Sequence, residues 1–130
     1  MKAATAVVAA ALAMTPGADD PAPPAVVIRA QPRGAIAPAH VLVTVELVGG
    51  DDMEEFYCPG LVWEWGDGAR SLRESDCPPY EPGEEIQRRY SARHVYRSSG
   101  RHELRFALVR SGRTVAAVAT TVEVIPRFGD

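Results

Sequence analysis

Trp63-Glu64-Trp65-Gly66-Asp67-Gly68, answered by His94-Val95-Tyr96-Arg97-Ser98-Ser99-Gly100, is the part of this chain whose reading decides the fold. The first stretch is the end of a strand. Leu61, Trp63 and Trp65 share one face, Val62 and Glu64 the other, and a glycine-bracketed acidic turn stops it. Past Gly100 the alternation resumes over residues 101–109, with His102, Leu104, Phe106 and Leu108 inward and Arg101, Glu103 and Arg105 outward. Ser111-Gly112 supplies a hairpin turn, and residues 114–124 return as the last strand. Upstream, residues 41–48 put Val41, Val43, Val45 and Leu47 on an unbroken apolar face, and Gly49-Gly50-Asp51-Asp52 ends that strand. Residues 25–30 form an earlier strand before Pro32, Gly34 and Pro38 break the chain. Residues 86–95 are extended again. Residues 69–86 lack periodicity and read as a long loop, with room for a short strand at Ser71 and Leu72. No segment after residue 24 has helical periodicity.

The ordered pieces W-x-W-G-D-G, H-x-Y and a following glycine-led alternating strand resemble the PKD (polycystic kidney disease) domain, an immunoglobulin-like β-sandwich. Trp63, Gly66, Asp67, Gly68, His94, Tyr96 and Gly100 match the family pattern, with Trp65 in place of its usual aromatic. His102 stands where an aromatic is usual, and the cysteine-bearing stretch after the turn departs from the pattern. The resemblance spans residues 41–124. It implies an all-β sandwich of about seven strands over residues 25–126, in which Trp63, Leu104, Phe106 and Leu108 lie in the core. Each matching residue has a structural role to expect. The glycines permit left-handed backbone, Asp67 accepts from the amides of its own turn, and Tyr96 sends its hydroxyl to upstream backbone as a tyrosine corner does.

At 130 residues, 46% hydrophobic and 24% charged, the chain has the size and composition of one globular domain. Its N-terminus reads as a secretory signal over residues 1–18. A basic Met1-Lys2 precedes an Ala- and Val-rich run too short to span a bilayer, with cleavage after residue 13 or residue 18. Residues 19–24 are acidic and proline-rich and read as a linker. The expectation is a secreted, extracytoplasmic, monomeric protein with no membrane span. Cys58 and Cys77 are the only cysteines, and an even count in an exported domain predicts a disulfide between them. Their spacing with His94 and His102 fits no zinc site. The chain contains no asparagine and hence no N-glycosylation sequon.

Charge is unevenly placed along a chain of net charge −3. Residues 44–86 hold twelve acidic side chains and two arginines, whereas residues 87–127 hold nine arginines and two glutamates. Because sequence halves interleave in a sandwich, neighbouring strands of opposite sign are expected to pair. Glu64 should face Arg101 or Arg105, and Glu46 should have an arginine nearby. A basic surface for nucleic acid is then not expected. The acidic run Asp51-Asp52-Met53-Glu54-Glu55 raises calcium binding, although it lacks the spacing and glycine of an EF-hand loop.

No nucleophile elbow, zinc-protease motif or phosphate-cradling loop is present. The sequence therefore predicts no catalytic residues and no cofactor. It points to a non-catalytic module that contacts a protein or polysaccharide, or acts as a spacer, at the cell envelope. A carbohydrate-binding module is the alternative, with Phe56, Tyr57 and Tyr80 near the cysteines as its candidate surface. A small secreted enzyme is the third reading.

Overall fold

A computed structural model describes residues 20–128. The signal peptide read over residues 1–18 lies outside the described residues. Eight strands make up nearly all the regular structure: β1 (Ala25–Gln31), β2 (Gly34–Ile36), β3 (Ala39–Val48), β4 (Gly60–Glu64), β5 (Arg70–Arg73), β6 (Arg89–Tyr96), β7 (Gly100–Arg110) and β8 (Arg113–Ile125). One 3-10 turn, Glu54–Phe56, is the only helical element among the described residues. The strands form two sheets, ordered β1-β3-β6 and β2-β8-β7-β4-β5, in which only β2 runs parallel to its neighbour.

Alternation in the sequence sets the faces. Val41, Val43, Val45 and Leu47 of β3, with Tyr90 and Tyr96 of β6, point inward from the first sheet. Leu61 and Trp63 of β4, Leu104, Phe106 and Leu108 of β7, and Val122 and Val124 of β8 point inward from the second. These residues make one contiguous core. Trp63, Leu104, Phe106 and Leu108 are buried in it as the sequence predicts. β7 and β8 close through a two-residue turn in which Ser111 (φ 53°) and Gly112 (φ 75°) both take left-handed backbone, the geometry that matches strand twist in a tight hairpin.

Two features depart from the sequence reading, and one strand left open by it is present. There are eight strands rather than about seven, because residues 34–36 add to β8 between two prolines read as breaks. An edge position asks little of its own amides, so flanking prolines are tolerated there. The possible strand at Ser71 and Leu72 is real and extends over Arg70–Arg73. Finally, the end of the linker is docked onto the sandwich. Pro24 is buried, the Ala22 N–H donates to the Asp51 carboxylate at 2.8 Å, and the Asp51 N–H returns to the Ala22 carbonyl at 2.8 Å. A side chain at Gly50 would collide with the backbone of Pro23 and Pro24.

Candidate functional site

The residues of the Trp63–Gly68 and His94–Tyr96 stretches meet at one end of the sandwich, where β4 turns through residues 66–69 towards β5. The turn closes on itself. The Trp65 N–H donates to the Ala69 carbonyl at 3.1 Å, and the Ala69 N–H donates to Asp67 Oδ1 at 3.1 Å. Gly66 sits at φ 87° directly against the backbone of Glu103, where no side chain fits. The other carboxylate oxygen of Asp67 lies 2.7 Å from His94 Nε2, so the carboxylate selects the tautomer with its proton on that nitrogen. Tyr96, two residues along β6, donates its hydroxyl to the Trp65 carbonyl at 2.7 Å. β6 therefore carries two inward side chains that clamp a turn belonging to the opposite sheet.

Rings fill the space between. Trp63 and Trp65 stack with centroids 5.3 Å apart, His94 stacks on Trp65 at 4.5 Å, and Tyr96 meets the His94 ring edge-on at 4.7 Å and stacks on His102 at 4.8 Å. Trp65 Nε1 donates to Ser71 Oγ at 3.0 Å. His102 directs Nε2 at the Ser98 carbonyl and Nδ1 at the Gly66 carbonyl. Burial alone would raise the Asp67 carboxyl. The hydrogen bond from His94, that from the Ala69 amide and the charge of His94 outweigh it and hold Asp67 below the ordinary carboxylate value. Burial pushes the Tyr96 phenol well up, and the Asp67 charge adds to this.

An imidazole oriented by a carboxylate is the base half of a nucleophile–base pair. Here the faces of that imidazole lie against Trp65 and Tyr96, and among the described residues its only side-chain hydrogen bond goes to Asp67. Trp63, Trp65, Gly66, Asp67, His94 and Tyr96 are thus brought together as one packed corner. Gly68 belongs to the same turn at φ 95°. Gly100 opens β7 at φ 135°.

Cys58 and Cys77 form the expected disulfide, with Cα atoms 6.1 Å apart. It ties the long segment after β5 to the start of β4, helped by Ser75 Oγ donating to the Pro59 carbonyl and Tyr57 Oη donating to the Pro78 carbonyl. Phe56, named as part of a sugar-stacking surface, is only 4% exposed and belongs to the core instead, because the 3-10 turn folds it inward. Tyr57 and Tyr80 pack edge to face on each other, the Arg110 guanidinium lies over Tyr57, and Tyr80 Oη reaches the Asp52 carbonyl. The calcium candidates are similarly engaged. Asp51 accepts from Ala22, and Asp52 pairs with Arg88 at 3.0 Å. Among the described residues no group of three or more potential metal ligands gathers.

The outer faces of the two sheets differ in charge. On the five-stranded sheet acids and arginines alternate in register: Arg70 opposite Glu64, Glu64 opposite Arg105, and Arg101 opposite Glu123, with Glu103 bonded to Arg105 at 2.7 Å. That is the pairing expected from the sequence, including Glu64 with Arg105. On the three-stranded sheet the outward rows are Val27-Glu46-Arg89, Arg29-Thr44-Ser91, Gln31-Leu42-Arg93 and His40-Val95. Glu46 does have its arginine, Arg29 at 3.6 Å, and is also the register partner of Arg89. Of the nine arginines in residues 87–127 only Arg89 and Arg93 stand on this face, beside the Arg29–Glu46 pair, so it carries a local excess of positive charge that falls short of a continuous basic surface. A shallow cleft of about 340 Å³ opens there, lined by Gln31, His40, Val41, Leu42, Arg93, His94 and Val95. The sequence reading passed over these residues. Their alternation within each strand was visible, but the adjacency of β1, β3 and β6 that gathers them was not.

No protein-family model matches the chain, and no curated protein matches it.

Proposed function

We propose that this protein is a non-catalytic, exported module of immunoglobulin-like, PKD type that makes protein or polysaccharide contacts, or acts as a spacer, at the cell envelope. The observation that carries this reading is the corner itself. Asp67 and His94 bond each other at 2.7 Å, Tyr96 bonds the Trp65 carbonyl, and the rings of His94 and Tyr96 are packed among aromatics. Groups engaged in this way hold a turn in place. Two sheets of orders β1-β3-β6 and β2-β8-β7-β4-β5 are compatible with an immunoglobulin-like arrangement, and a Cys58–Cys77 bridge suits an oxidising compartment.

Chemical cross-linking on intact cells, followed by mass spectrometry, tests the reading. The exported protein should begin after residue 13 or 18 and cross-link to an envelope component. Turnover of a substrate that is abolished by His94→Gln in a protein that still folds would overturn it.

A further inference from the structure

We propose that the outer face of the three-stranded sheet is a binding site for an acidic polysaccharide, one bearing a carboxylate on its sugar rings, with Arg93 at its centre. This rests on the reading of the protein as an exported contact module and names the ligand class and the residues that would take it.

Charge and shape lead to it together. The protein carries a formal net charge of −3, so a polyanion is repelled by the molecule as a whole and can be held only by a local excess of positive charge. The three-stranded face is such a place. Arg29, Arg89 and Arg93 are exposed there against the single acid Glu46, and among the described residues neither Arg89 nor Arg93 makes a side-chain ion pair. Arg93 stands in one row with Leu42 and Gln31 at the wall of the 340 Å³ cleft, with His40 and Val95 in the next row. A guanidinium offers a carboxylate two parallel hydrogen bonds, and the Gln31 amide beside it can donate or accept with ring hydroxyls. Leu42 and Val95 give the C–H face of a sugar an apolar floor. Thr44 and Ser91, in the next row with Arg29, supply further hydroxyls between the Arg93 row and the Arg89 row.

Other polyanions fit this face less well. Single-stranded nucleic acid is held by successive aromatic platforms, and the outward positions of these three strands offer no Phe, Tyr or Trp, only the imidazole of His40. Duplex DNA carries dense phosphate charge that is gripped through many contacts at once, and it is read by an element entering a groove; a flat face with three arginines offers neither. Along β6, Arg89 and Arg93 are four residues apart, about 13 Å in a strand. That spacing suits an extended polymer in which charged groups alternate with hydroxyl-bearing rings.

Affinity electrophoresis of the purified protein through gels containing polygalacturonate tests the site, with dextran as the neutral control and a duplex DNA of matched charge concentration as the competing polyanion. The wild-type protein should be retarded by polygalacturonate and not by dextran, and retardation should fall with added salt. Arg93→Gln should weaken binding about tenfold, the loss expected of one charge-assisted contact, and adding Arg29→Gln should weaken it further. The pair Arg101→Gln and Arg105→Gln, on the opposite and charge-balanced face, should bind like wild type. All these side chains are exposed, so circular dichroism should report an unchanged fold in each variant. No retardation of the wild type, an equal loss in the opposite-face variant, or tighter retention by duplex DNA than by polygalacturonate would overturn the proposal. If the wild type is not retarded yet still cross-links at the envelope, this site fails and the module reading stands. Catalytic turnover would remove the module reading and leave the binding measurement intact.

Discussion

The turn at residues 66–69 links two strands of one sheet, the segment between β5 and β6 crosses from the five-stranded sheet to the three-stranded one, and the two are held by different physics. The turn is fixed by its own side chains and by those of β6: Asp67 to His94, Tyr96 to the Trp65 carbonyl, Gly66 against Glu103. The two hydrogen bonds are buried or half-buried, so each loses little to water. The long segment is exposed over most of its length and is held by a covalent bond and scattered hydrogen bonds from Ser75, Tyr57 and Tyr80. Short-range packing can place a four-residue turn. A polar loop with little apolar surface to bury needs a crosslink, because ordering it costs conformational entropy that burial does not offset.

That difference can be broken experimentally, and the corner should yield the largest effects. Trp65→Ala removes a side chain 2% exposed, stacked between Trp63 and His94, and should cost about 3–5 kcal/mol in urea denaturation. A loss near 1 kcal/mol would mean the corner collapses around the gap and is not a fixed scaffold. Gly66→Ala should follow at roughly 2–5 kcal/mol, from left-handed backbone together with collision against Glu103. Gly83→Ala provides the control within the long segment. It has nearly the same backbone angle, φ 93°, and open space around it, so it should cost only about 1 kcal/mol. Equal effects at 66 and 83 would erase the distinction.

Replacing Cys58 and Cys77 together by serine should lower stability by about 3 kcal/mol, as loop-entropy reasoning gives for a closed loop of this size. Hydrogen exchange should rise across the long segment while the amides of residues 65–69 keep their protection.

Asp67→Asn should cost about 1–3 kcal/mol at neutral pH, since it replaces a charge-assisted hydrogen bond by a neutral one. The pH dependence has a definite sign. The Asp67 carboxyl titrates lower in the folded protein than its ordinary value of 3.8, so its contribution is complete above that value. It is lost as pH falls below 3.8 through the folded value. The stability gap between wild type and Asp67→Asn should therefore close as pH falls below 3.8. A gap that is independent of pH would show that the carboxylate form does not matter. Smallest of all, Tyr80→Phe removes a 3.4 Å hydrogen bond at a partly exposed site and should cost at most about 1 kcal/mol.

Much of the fold was legible because its determinants are local. Period-two alternation in residues 41–48 and 101–109 fixes which side chains face inward whatever the neighbouring strand is. The pattern Trp63 to Gly68 marks a strand end, since glycine alone tolerates the backbone there. The disulfide followed from cysteine count and export, and Tyr96 from its place before the turn into β7. The three-residue strand β2 was missed because a parallel pairing with β8, ninety residues away, leaves no local mark between two prolines. Phe56 was misplaced because a 3-10 turn, unlike a strand, gives no alternation from which to judge its direction.

By itself, then, the sequence determined an all-β chain, the inward sets of β3, β4 and β7, the bridge between Cys58 and Cys77, and the turn at Gly66-Asp67-Gly68. The tertiary structure alone decided which strands lie side by side. That choice brought His94 onto Asp67, balanced the arginines of β7 against Glu64 and Glu123, and gathered Arg29, Arg89 and Arg93 around one glutamate. The reason is physical. Burial is written one residue at a time, whereas the charge of a surface is a sum over neighbours that only the pairing of distant strands can define.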